Sequence, residues 1–428
     1  MRRSPLFWIC TLAVILRVGV AVYLGNTVEA LPGVSDQLSY HHLAIRVVEG
    51  HGFSFDRAWW PATRAGEPTA HWSFLYTFYL AGIYALFGVH PVFARILQAI
   101  LVGILQPWLS YWVGKQIFGH KVGVWAAFLN AIYLYFIYYS GTLMTEPFYI
   151  TAILGVLALT IQLTQSAKTS LQQTRTAILL GLVYGIAVLL RQLFLLFLPF
   201  LILWIFIKNQ QEKIGLQWWH GVISLGVILV MILPFTLYNY QRFGEFVLLN
   251  TNSGYAFYWA NHPYYGTKFI PILSEEEYLN LLPEELLSLN EAALDKALLS
   301  RGIQFVLDDP VRYGMLSLSR IPPYFDFLPR SESGWISNIT RVFSFGVFFP
   351  FMLVGLFLAI KDTFKTIPTF FSSPPALLIL FSIVYIGIHV LTWTLVRYRL
   401  PVDAVWLIFA GLTFVRISAR MFHPVSKP

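Results

Sequence analysis

Ten long apolar segments constrain the fold of this sequence more than any other feature. They cover residues 6–24, 94–114, 122–140, 147–165, 176–190, 193–207, 220–239, 342–360, 376–394 and 400–417. A helix needs roughly 17 to 25 mostly apolar residues to cross the ~30 Å hydrocarbon core of a bilayer. A spanning helix also satisfies its own backbone hydrogen bonds there. The segments therefore predict an all-α polytopic membrane protein with about ten transmembrane helices, of which 176–207 forms two short ones broken at Arg191.

Composition excludes the other broad classes of protein. Hydrophobic residues make up 57% of the 428 residues and charged residues only 12%, about half of the ~25% charged fraction of soluble chains. The chain is too apolar for an intrinsically disordered protein, and its one cysteine, Cys10, cannot build a disulfide scaffold.

The charged residues follow a membrane topology rather than a nucleic-acid surface, although the net charge is +8. Short polar breaks on one side are basic and predict the cytoplasmic side. They contain Arg2, Arg3, Lys115, Lys121, Lys168, Arg175, Lys208, Lys213, Lys361, Lys365, Arg416, Arg420 and Lys427, against Glu212 and Asp362. Counting 71–88 as a further span would invert this pattern, so we expect it to form an interfacial or re-entrant helix. Both termini then lie inside.

Two long polar segments, 25–72 and 240–341, fall on the opposite, outer side. The second is too long for a plain connection and predicts a small outer helical subdomain. Within it, 274–310 reads as helical, with Ser274 as a cap and a stop at Asp309-Pro310. We therefore divide the chain into a transmembrane module at 1–239, the outer segment at 240–341 and C-terminal transmembrane helices at 342–428.

Five charged residues at the outer ends of spans are the candidates for a site: Asp36, Glu146, Arg191, Arg397 and Arg399. A carboxylate at Asp36 could take a proton from an incoming hydroxyl or amine, or merely cap a helix that begins near Ser35. The helix dipole alone would favour Glu146. Arginine forks suit phosphate, but Arg397 and Arg399 could equally contact lipid headgroups.

A metal site is not assigned. The loop histidines His41, His42, His51 and His71 have no recognised ligand spacing. Carboxylates in the first outer loop could still support a divalent cation.

Short motifs occur in a characteristic order along most of the chain. They are Asp36, Tyr40, Ala44 and Gly50-His51-Gly52; Phe87-Gly88; 94–98; Phe118-Gly119; 139–146; Leu190-Arg191; Asn239-Tyr240 with Gly244-Glu245; 259–263, which includes Asn261 and His262; and 397–401. This order resembles membrane glycosyltransferases of the GT-C fold, in particular bacterial relatives of protein O-mannosyltransferases and of the aminoarabinose transferase that modifies lipid A.

The resemblance implies a GT-C fold and an inverting transfer of a sugar from a polyprenyl-phosphate carrier to a lipid, glycan or protein acceptor. By this resemblance Asp36 is the general base, Glu146 shapes the donor site, and Arg397 and Arg399 hold the carrier phosphate. It implies substrate contacts for Arg191, Tyr40, Asn261 and His262, and a periplasmic site in the bacterial inner membrane. The chain departs from the family at 67–72, where a Pro-rich step is usual.

Two other functions remain open from the sequence. A transporter or flippase of lipid-linked saccharide would also need basic residues for phosphate, but it should show inverted repeats, and none is visible. An O-antigen type polymerase or ligase would share the late outer loop. The early acidic loop with Asp36 favours the transferase.

Overall fold

The computed structural model describes residues 4–30, 35–59, 63–165, 169–331 and 334–422. This described part is almost entirely helical and contains one isolated β-bridge, between Ser54 and Pro68. The α-helices are α1 Pro5–Leu24, α2 Asp36–Val48, α3 Phe74–Phe87, α4 Pro91–Phe118, α5 His120–Ile132, α6 Leu134–Ser140, α7 Glu146–Leu163, α8 Ser170–Leu190, α9 Leu198–Glu212, α10 Trp218–Phe243, α11 Ser253–Asn261, α12 Glu275–Asn280, α13 Glu291–Asp308, α14 Pro310–Leu318, α15 Ile321–Tyr324, α16 Trp335–Arg341, α17 Val347–Thr363, α18 Ile367–Phe371, α19 Pro374–Leu391 and α20 Leu400–Phe422.

Within these residues, nine helices are long and apolar enough to cross a membrane, and a tenth forms if α5 and α6 are one span bent by 55°. The prediction of about ten spans is therefore confirmed. Helix α3, inside the 71–88 segment, has only 14 residues and is shorter than a span. Because it packs against α2, α4 and α8, it belongs to the bundle as a short helix at one end.

Hydrogen bonds show which helix ends share a side. Arg95, at the start of α4, donates to the carbonyl oxygens of Leu24 and Gly25 at the end of α1. Ser73, which caps α3, donates to the carbonyl oxygen of Leu189 near the end of α8. At the other side, Gln165 after α7 donates to Gln116 near the end of α4. Because the end of α1 and the start of α4 lie on the same side, the short α3 between them does not cross the bundle. The long helices therefore still alternate in direction along the chain.

The basic residues that were predicted to face the cytoplasm lie at this second side. Described examples are Lys115, Lys121, Lys208, Lys361 and Arg416, which occupy the ends or beginnings of α4, α5, α9, α17 and α20. Arg2, Arg3, Lys168 and Lys427 lie outside the described residues, as does the side chain of Arg420.

The centre of the bundle is formed by α7 and the first half of α20, whose side chains are nearly all buried. Buried polar side chains link the other helices to this core. Arg17 of α1 is fully buried and donates to the carbonyl oxygens of Asn130 and Ala131 in α5. The bend between α5 and α6 falls at Tyr133, whose hydroxyl donates to Asp403 of α20 at 2.7 Å.

The outer segment 240–341 is helical, as predicted, but more interrupted. Ser274 forms a capping box with Glu277 at the start of α12. The chain then leaves helical geometry near Pro283 before Asn290 caps α13. Helix α13 stops at Asp309-Pro310, as predicted. A further helix follows at once, because the side chain of Asp309 accepts a hydrogen bond from the amide of Arg312 and begins α14.

Candidate active site

Four charged side chains from distant parts of the chain meet at one end of the bundle. Nη1 of Arg397 lies 2.5 Å from Oδ2 of Asp36 and 3.3 Å from Oε1 of Glu146. Nη2 of Arg191 lies 2.5 Å from the same Oε1 of Glu146. We call Asp36, Glu146, Arg191 and Arg397 the charge cluster. It joins two carboxylates and two guanidinium groups in one continuous ion-pair network.

Each member of the charge cluster stands at the end of a helix. Asp36 and Glu146 are the first residues of α2 and α7, where the partial positive charge of the helix favours a carboxylate. Arg191 follows the last residue of α8, where a cation is favoured. Arg397 lies in the 3-10 turn Val396–Arg399 before α20. Asp36, Glu146 and Arg191 therefore lie where the helix dipoles stabilise their charges, whereas Arg397, at the positive end of α20, is stabilised by the two carboxylates.

The connection that delivers Glu146 is held by buried glutamines. Gln98 of α4 donates to the carbonyl oxygens of Ser140 and Thr142 at 2.9 and 2.8 Å. Gln106, two turns further along α4, donates to the carbonyl oxygen of Pro147 at 2.9 Å. From α2, Gln37 accepts the amide of Leu143 at 2.8 Å. Since these contacts satisfy backbone groups on both sides of Glu146, they fix its position relative to Asp36.

Exposure distinguishes the members of the cluster. The side chain of Glu146 is 2% exposed, that of Arg397 10%, that of Arg191 19% and that of Asp36 31%. Within the described residues, Oε2 of Glu146 has no hydrogen-bond partner. Glu146 is thus an inner anchor for both arginines, whereas Asp36 is the carboxylate most accessible from outside.

Aromatic rings line the arginines. The guanidinium of Arg191 lies 5.6 Å from the ring of Tyr149 and 5.4 Å from that of Tyr398. That of Arg397 lies 5.1 Å from the ring of Tyr398. Cation–π contacts hold guanidinium groups in place without occupying their donors. Thr145 does not cap α7 with its side chain but accepts Nε of Arg191 at 3.0 Å.

Asp36 is ionised at neutral pH. Burial raises its pKa, but the surrounding groups, above all the guanidinium of Arg397, together lower it by more, so the net pKa lies below the ordinary value. Arg397 binds Oδ2, and an ionised carboxylate has further acceptor positions on its second oxygen. Asp36 can therefore accept a hydrogen bond from a substrate while it remains paired with Arg397.

His71 is an electrostatic neighbour of Asp36 that sequence reasoning weighed only as a metal ligand. Its Nδ1 lies 3.2 Å from the carbonyl oxygen of Thr251. A carbonyl only accepts, so Nδ1 carries the hydrogen and Nε2 the lone pair. Burial lowers the pKa of His71 to about 4, so the ring is neutral at pH 7. The signal in the sequence was its position inside 67–72, where the chain departs from the family pattern.

Arg399 does not join the charge cluster, although the sequence placed it beside Arg397. It is fully buried, its Nε lies 3.0 Å from Oδ1 of Asp403, and its Nη1 donates to the carbonyl oxygen of Tyr324 at 2.8 Å. Its guanidinium lies 3.5 Å from the ring centre of Phe345. In a 3-10 turn, residues two apart point in different directions. Arg399 therefore ties α20 to the outer segment.

Three other predicted substrate contacts also lie in packing positions. Tyr40 is buried one turn after Asp36, and its hydroxyl accepts the amide of Ser73 at 3.4 Å. Asn261 is buried and accepts Nη2 of Arg320 at 2.9 Å. His262 accepts the amide of Tyr264 at 3.1 Å. The contacts of Asn261 and His262 lie inside the outer segment, whereas Tyr40 positions α2 against α3.

Comparisons with known proteins agree with this architecture. Residues 71–238 match the model of the dolichyl-phosphate-mannose-protein mannosyltransferase family. No curated protein sequence matches the chain.

The structure is similar to the oligosaccharyltransferase AglB from Archaeoglobus fulgidus in complex with an inhibitory peptide and a dolichol-phosphate. The identity is 15% and the TM-score 0.57, over 97% of this chain and 51% of that one. A second structure of an Archaeoglobus fulgidus oligosaccharyltransferase, with Zn and sulfate, gives 16% identity and a TM-score of 0.61, over 98% and 49%. This chain thus spans about half the length of those proteins.

The structure is also similar to ArnT from Cupriavidus metallidurans bound to undecaprenyl phosphate. The identity is 12% and the TM-score 0.51, over 97% of this chain and 61% of that one. At such identities the likeness shows the fold. Together with the all-helical architecture, it confirms the predicted GT-C fold, which is the fold of membrane glycosyltransferases.

Proposed function

We propose that this protein is a membrane glycosyltransferase that moves a sugar from a polyprenyl-phosphate carrier to an acceptor, with inversion at the anomeric carbon. The observation that carries the proposal is the charge cluster, in which an accessible carboxylate and two arginines meet at one end of a GT-C bundle. Two similar structures contain a dolichol-phosphate and undecaprenyl phosphate, which supports this class of carrier.

In this proposal Asp36 is the general base. It takes the proton from a hydroxyl or amine of a lipid, glycan or protein acceptor as that group attacks the anomeric carbon. The bond between the anomeric carbon and the phosphate oxygen breaks, and the polyprenyl phosphate leaves with both electrons. A single displacement on the face opposite the leaving group inverts the configuration.

Arg397 and Arg191 stabilise the departing phosphate. Both present planar donor forks. Nη1 of Arg397 serves both carboxylates at once while Nη2 donates to the hydroxyl of Tyr398 at 3.5 Å, which leaves the second Nη2 hydrogen for a phosphate oxygen. Glu146 holds the two forks at a fixed separation. Positive charge that is already in place where negative charge develops lowers the barrier without further rearrangement. A phosphate leaving group needs no nucleotide in this scheme.

We place the site on the outer face of the membrane. The cluster lies at the end of the bundle opposite the basic residues Lys115, Lys121, Lys208, Lys361 and Arg416. Basic segments favour the cytoplasmic side, so the cluster faces away from the cytoplasm. In a bacterium this corresponds to the periplasmic side of the inner membrane, where polyprenyl-linked sugars and their acceptors meet.

The test is transfer of labelled sugar from polyprenyl-phosphate donors by the purified protein in liposomes. We expect Asp36→Asn to lower kcat by roughly 10²- to 10⁴-fold, the contribution of a general base, with donor binding retained. Asp56→Asn is the matched control, because Asp56 is an exposed carboxylate of the same outer loop. Equal turnover by Asp36→Asn and the native protein would move the base elsewhere. Lipid translocation without sugar transfer would favour a flippase.

A further inference from the structure

Glu291, the first residue of α13 in the outer segment, is a buried carboxylate that is 2% exposed. Its Oε1 accepts the amide of Ala70 at 2.7 Å and the hydroxyl of Thr251 at 2.5 Å. Its Oε2 accepts the hydroxyl of Thr63 at 3.2 Å. Among the described residues, no cation lies within ion-pair distance of Glu291.

A buried carboxylate without a cationic partner is costly unless its hydrogen bonds are satisfied. Glu291 meets that condition with donors from two loops that are far apart in the sequence. Thr63 and Ala70 belong to the first outer loop, whereas Thr251 precedes α11. Glu291 therefore joins the outer segment to the loop that leads into α3.

The same loop is bound along its backbone by residues 250–252. Nδ2 of Asn250 donates to the carbonyl oxygens of Ala70 and Trp72 at 2.9 and 2.8 Å. The amide of Thr251 donates to Ala70 at 3.2 Å, and Nδ2 of Asn252 donates to the carbonyl oxygen of His71 at 3.2 Å. Every carbonyl of residues 70–72 is thus fixed by the segment that Glu291 also holds.

This unit continues into the charge cluster. Gln192, the neighbour of Arg191, exchanges hydrogen bonds with the backbone of Asn250 at 2.9 and 3.1 Å. His71 donates to the carbonyl oxygen of Thr251, and the amide of Ser73 donates to the hydroxyl of Tyr40, one turn after Asp36 on α2. A displacement of residues 70–73 therefore moves the surroundings of the base.

We propose that Glu291 is a positioning residue for the transfer reaction: through Ala70 and Thr251 it fixes residues 70–73 against α2, which carries Asp36, and so determines how the acceptor meets the base. This inference rests on the proposed function. It assigns the outer segment a part in forming the acceptor side of the site, whereas the side chains of Arg397 and Arg191, which hold the donor phosphate in the proposed function, are anchored by Glu146 rather than by Glu291.

Asp295, one turn later on α13, provides a matched control. It is also buried, and it accepts the amides of Gly254 and Tyr255 at 2.7 and 3.3 Å and the hydroxyl of Ser253 at 3.4 Å. All of these partners lie in the outer segment. Replacing Asp295 therefore removes a comparable buried carboxylate but breaks no hydrogen bond to the first outer loop.

The experiment compares native protein, Glu291→Ala, Glu291→Gln and Asp295→Ala in liposomes, each at equal folded fraction. We expect Glu291→Ala to lower kcat at least tenfold with the donor KM within twofold of native, because small misplacements at a reacting centre cost large factors in rate. Glu291→Gln keeps an acceptor oxygen and should restore most of kcat. Asp295→Ala should retain kcat. Native kcat in Glu291→Ala, or an equal loss in Asp295→Ala, would overturn the proposal.

Hydrogen exchange of residues 69–73 separates this inference from the proposed function. We expect these amides to exchange at least tenfold faster in Glu291→Ala than in native protein or Asp295→Ala. Unchanged exchange would refute the role of Glu291 in holding residues 70–73, whatever the kinetics show. No turnover by native protein with any polyprenyl-phosphate donor would overturn the proposed function, and with it the catalytic consequence of Glu291.

Discussion

At the scale of single residues, Glu146 decides how the two arginines of the charge cluster are held. One oxygen, Oε1, receives Nη2 of Arg191 and Nη1 of Arg397. Without this shared anion the two guanidinium groups, both largely buried, would repel each other. The accessible Asp36 alone cannot replace it, because within the described residues Asp36 forms an ion pair with Arg397 only.

We therefore expect Glu146→Gln to weaken the donor site. Removing one partner of a buried ion-pair network costs about 2 kcal/mol or more, which corresponds to roughly a 30-fold loss in kcat/KM. The loss should appear chiefly in the donor KM, because the arginines bind the donor phosphate. Glu49→Gln, an exposed change at the end of α2, is the control. An unchanged donor KM in Glu146→Gln would show that Glu146 does not orient the arginines.

Asp295 makes the outer segment sensitive to pH. Burial raises its pKa to about 6, although hydrogen bonds from Gly254 and Tyr255 lower it. The folded state thus binds this proton more tightly than the unfolded chain, so the stability contribution is complete below about pH 4 and is lost as pH rises to about 6. The neighbouring charge of Glu291 acts in the same direction.

We expect native protein to lose about 3 kcal/mol of local stability in α13 between pH 4 and pH 7, the equivalent of the pKa shift. Asp295→Asn should remove most of this dependence, whereas Asp308→Asn, at an exposed position of the same helix, should keep it. Hydrogen exchange of the α13 amides measures this local stability as a function of pH in the native protein and in both variants. If the local stability of native α13 rises with pH, or if Asp295→Asn leaves its pH dependence unchanged, Asp295 is not the source of the pH dependence.

At the scale of elements, close packing of α17 against α20 holds the last helix and its preceding turn in place. Gly355 lies against the backbone of Phe409, and a Cβ atom at Gly355 would overlap the Phe409 carbonyl oxygen. The same helix α20 carries Asp403, which receives Tyr133 at the bend between α5 and α6 and pairs with Arg399. Arg397 precedes α20 directly, so its position depends on this packing.

Gly355→Ala should therefore destabilise the bundle by about 1–3 kcal/mol, the usual cost of overpacking. Gly387→Ala in α19 meets no atom within 4 Å and should gain up to about 1 kcal/mol from higher helix propensity. Thermal unfolding in detergent compares the two, with Tm expected to fall in the first and not in the second. A Gly355→Ala protein as stable as Gly387→Ala would contradict the tight α17–α20 contact.

Most of the helices and the members of the charge cluster could be predicted from the sequence. The spans follow from continuous apolar segments, and the charge pattern argues against a crossing at 71–88, where the 14-residue α3 is shorter than a span. The charge cluster followed from the placement of Asp36, Glu146, Arg191 and Arg397 at helix ends. Arg399 and the helix after Asp309 were not predictable, because each depends on local turn geometry: a 3-10 turn directs Arg399 inward, and Asp309 caps a new helix. Glu291 acts through contacts between distant loops, which carry no local sequence signal.

At the scale of the whole molecule, the site is assembled from the entire length of the described chain. Asp36 and Arg397 are 361 residues apart, yet their side chains are in contact. The outer segment covers the same end of the bundle and is joined to the first outer loop through Glu291. One end of the bundle therefore carries the charge cluster and both long loops. The other end carries the basic residues of the short connections, such as Lys115, Lys208 and Lys361. This polarity is expected of an enzyme with a one-sided site between membrane and exterior.

The configuration of the product's anomeric carbon tests the account most directly. A displacement with Asp36 as base and polyprenyl phosphate as leaving group has a single step, so the product must have the configuration opposite to that of the donor. The measurement is nuclear magnetic resonance of the glycoside formed by native protein from an anomerically pure donor. We expect complete inversion. Retention would require a covalent or second-displacement step and would contradict the assignment of Asp36 as general base.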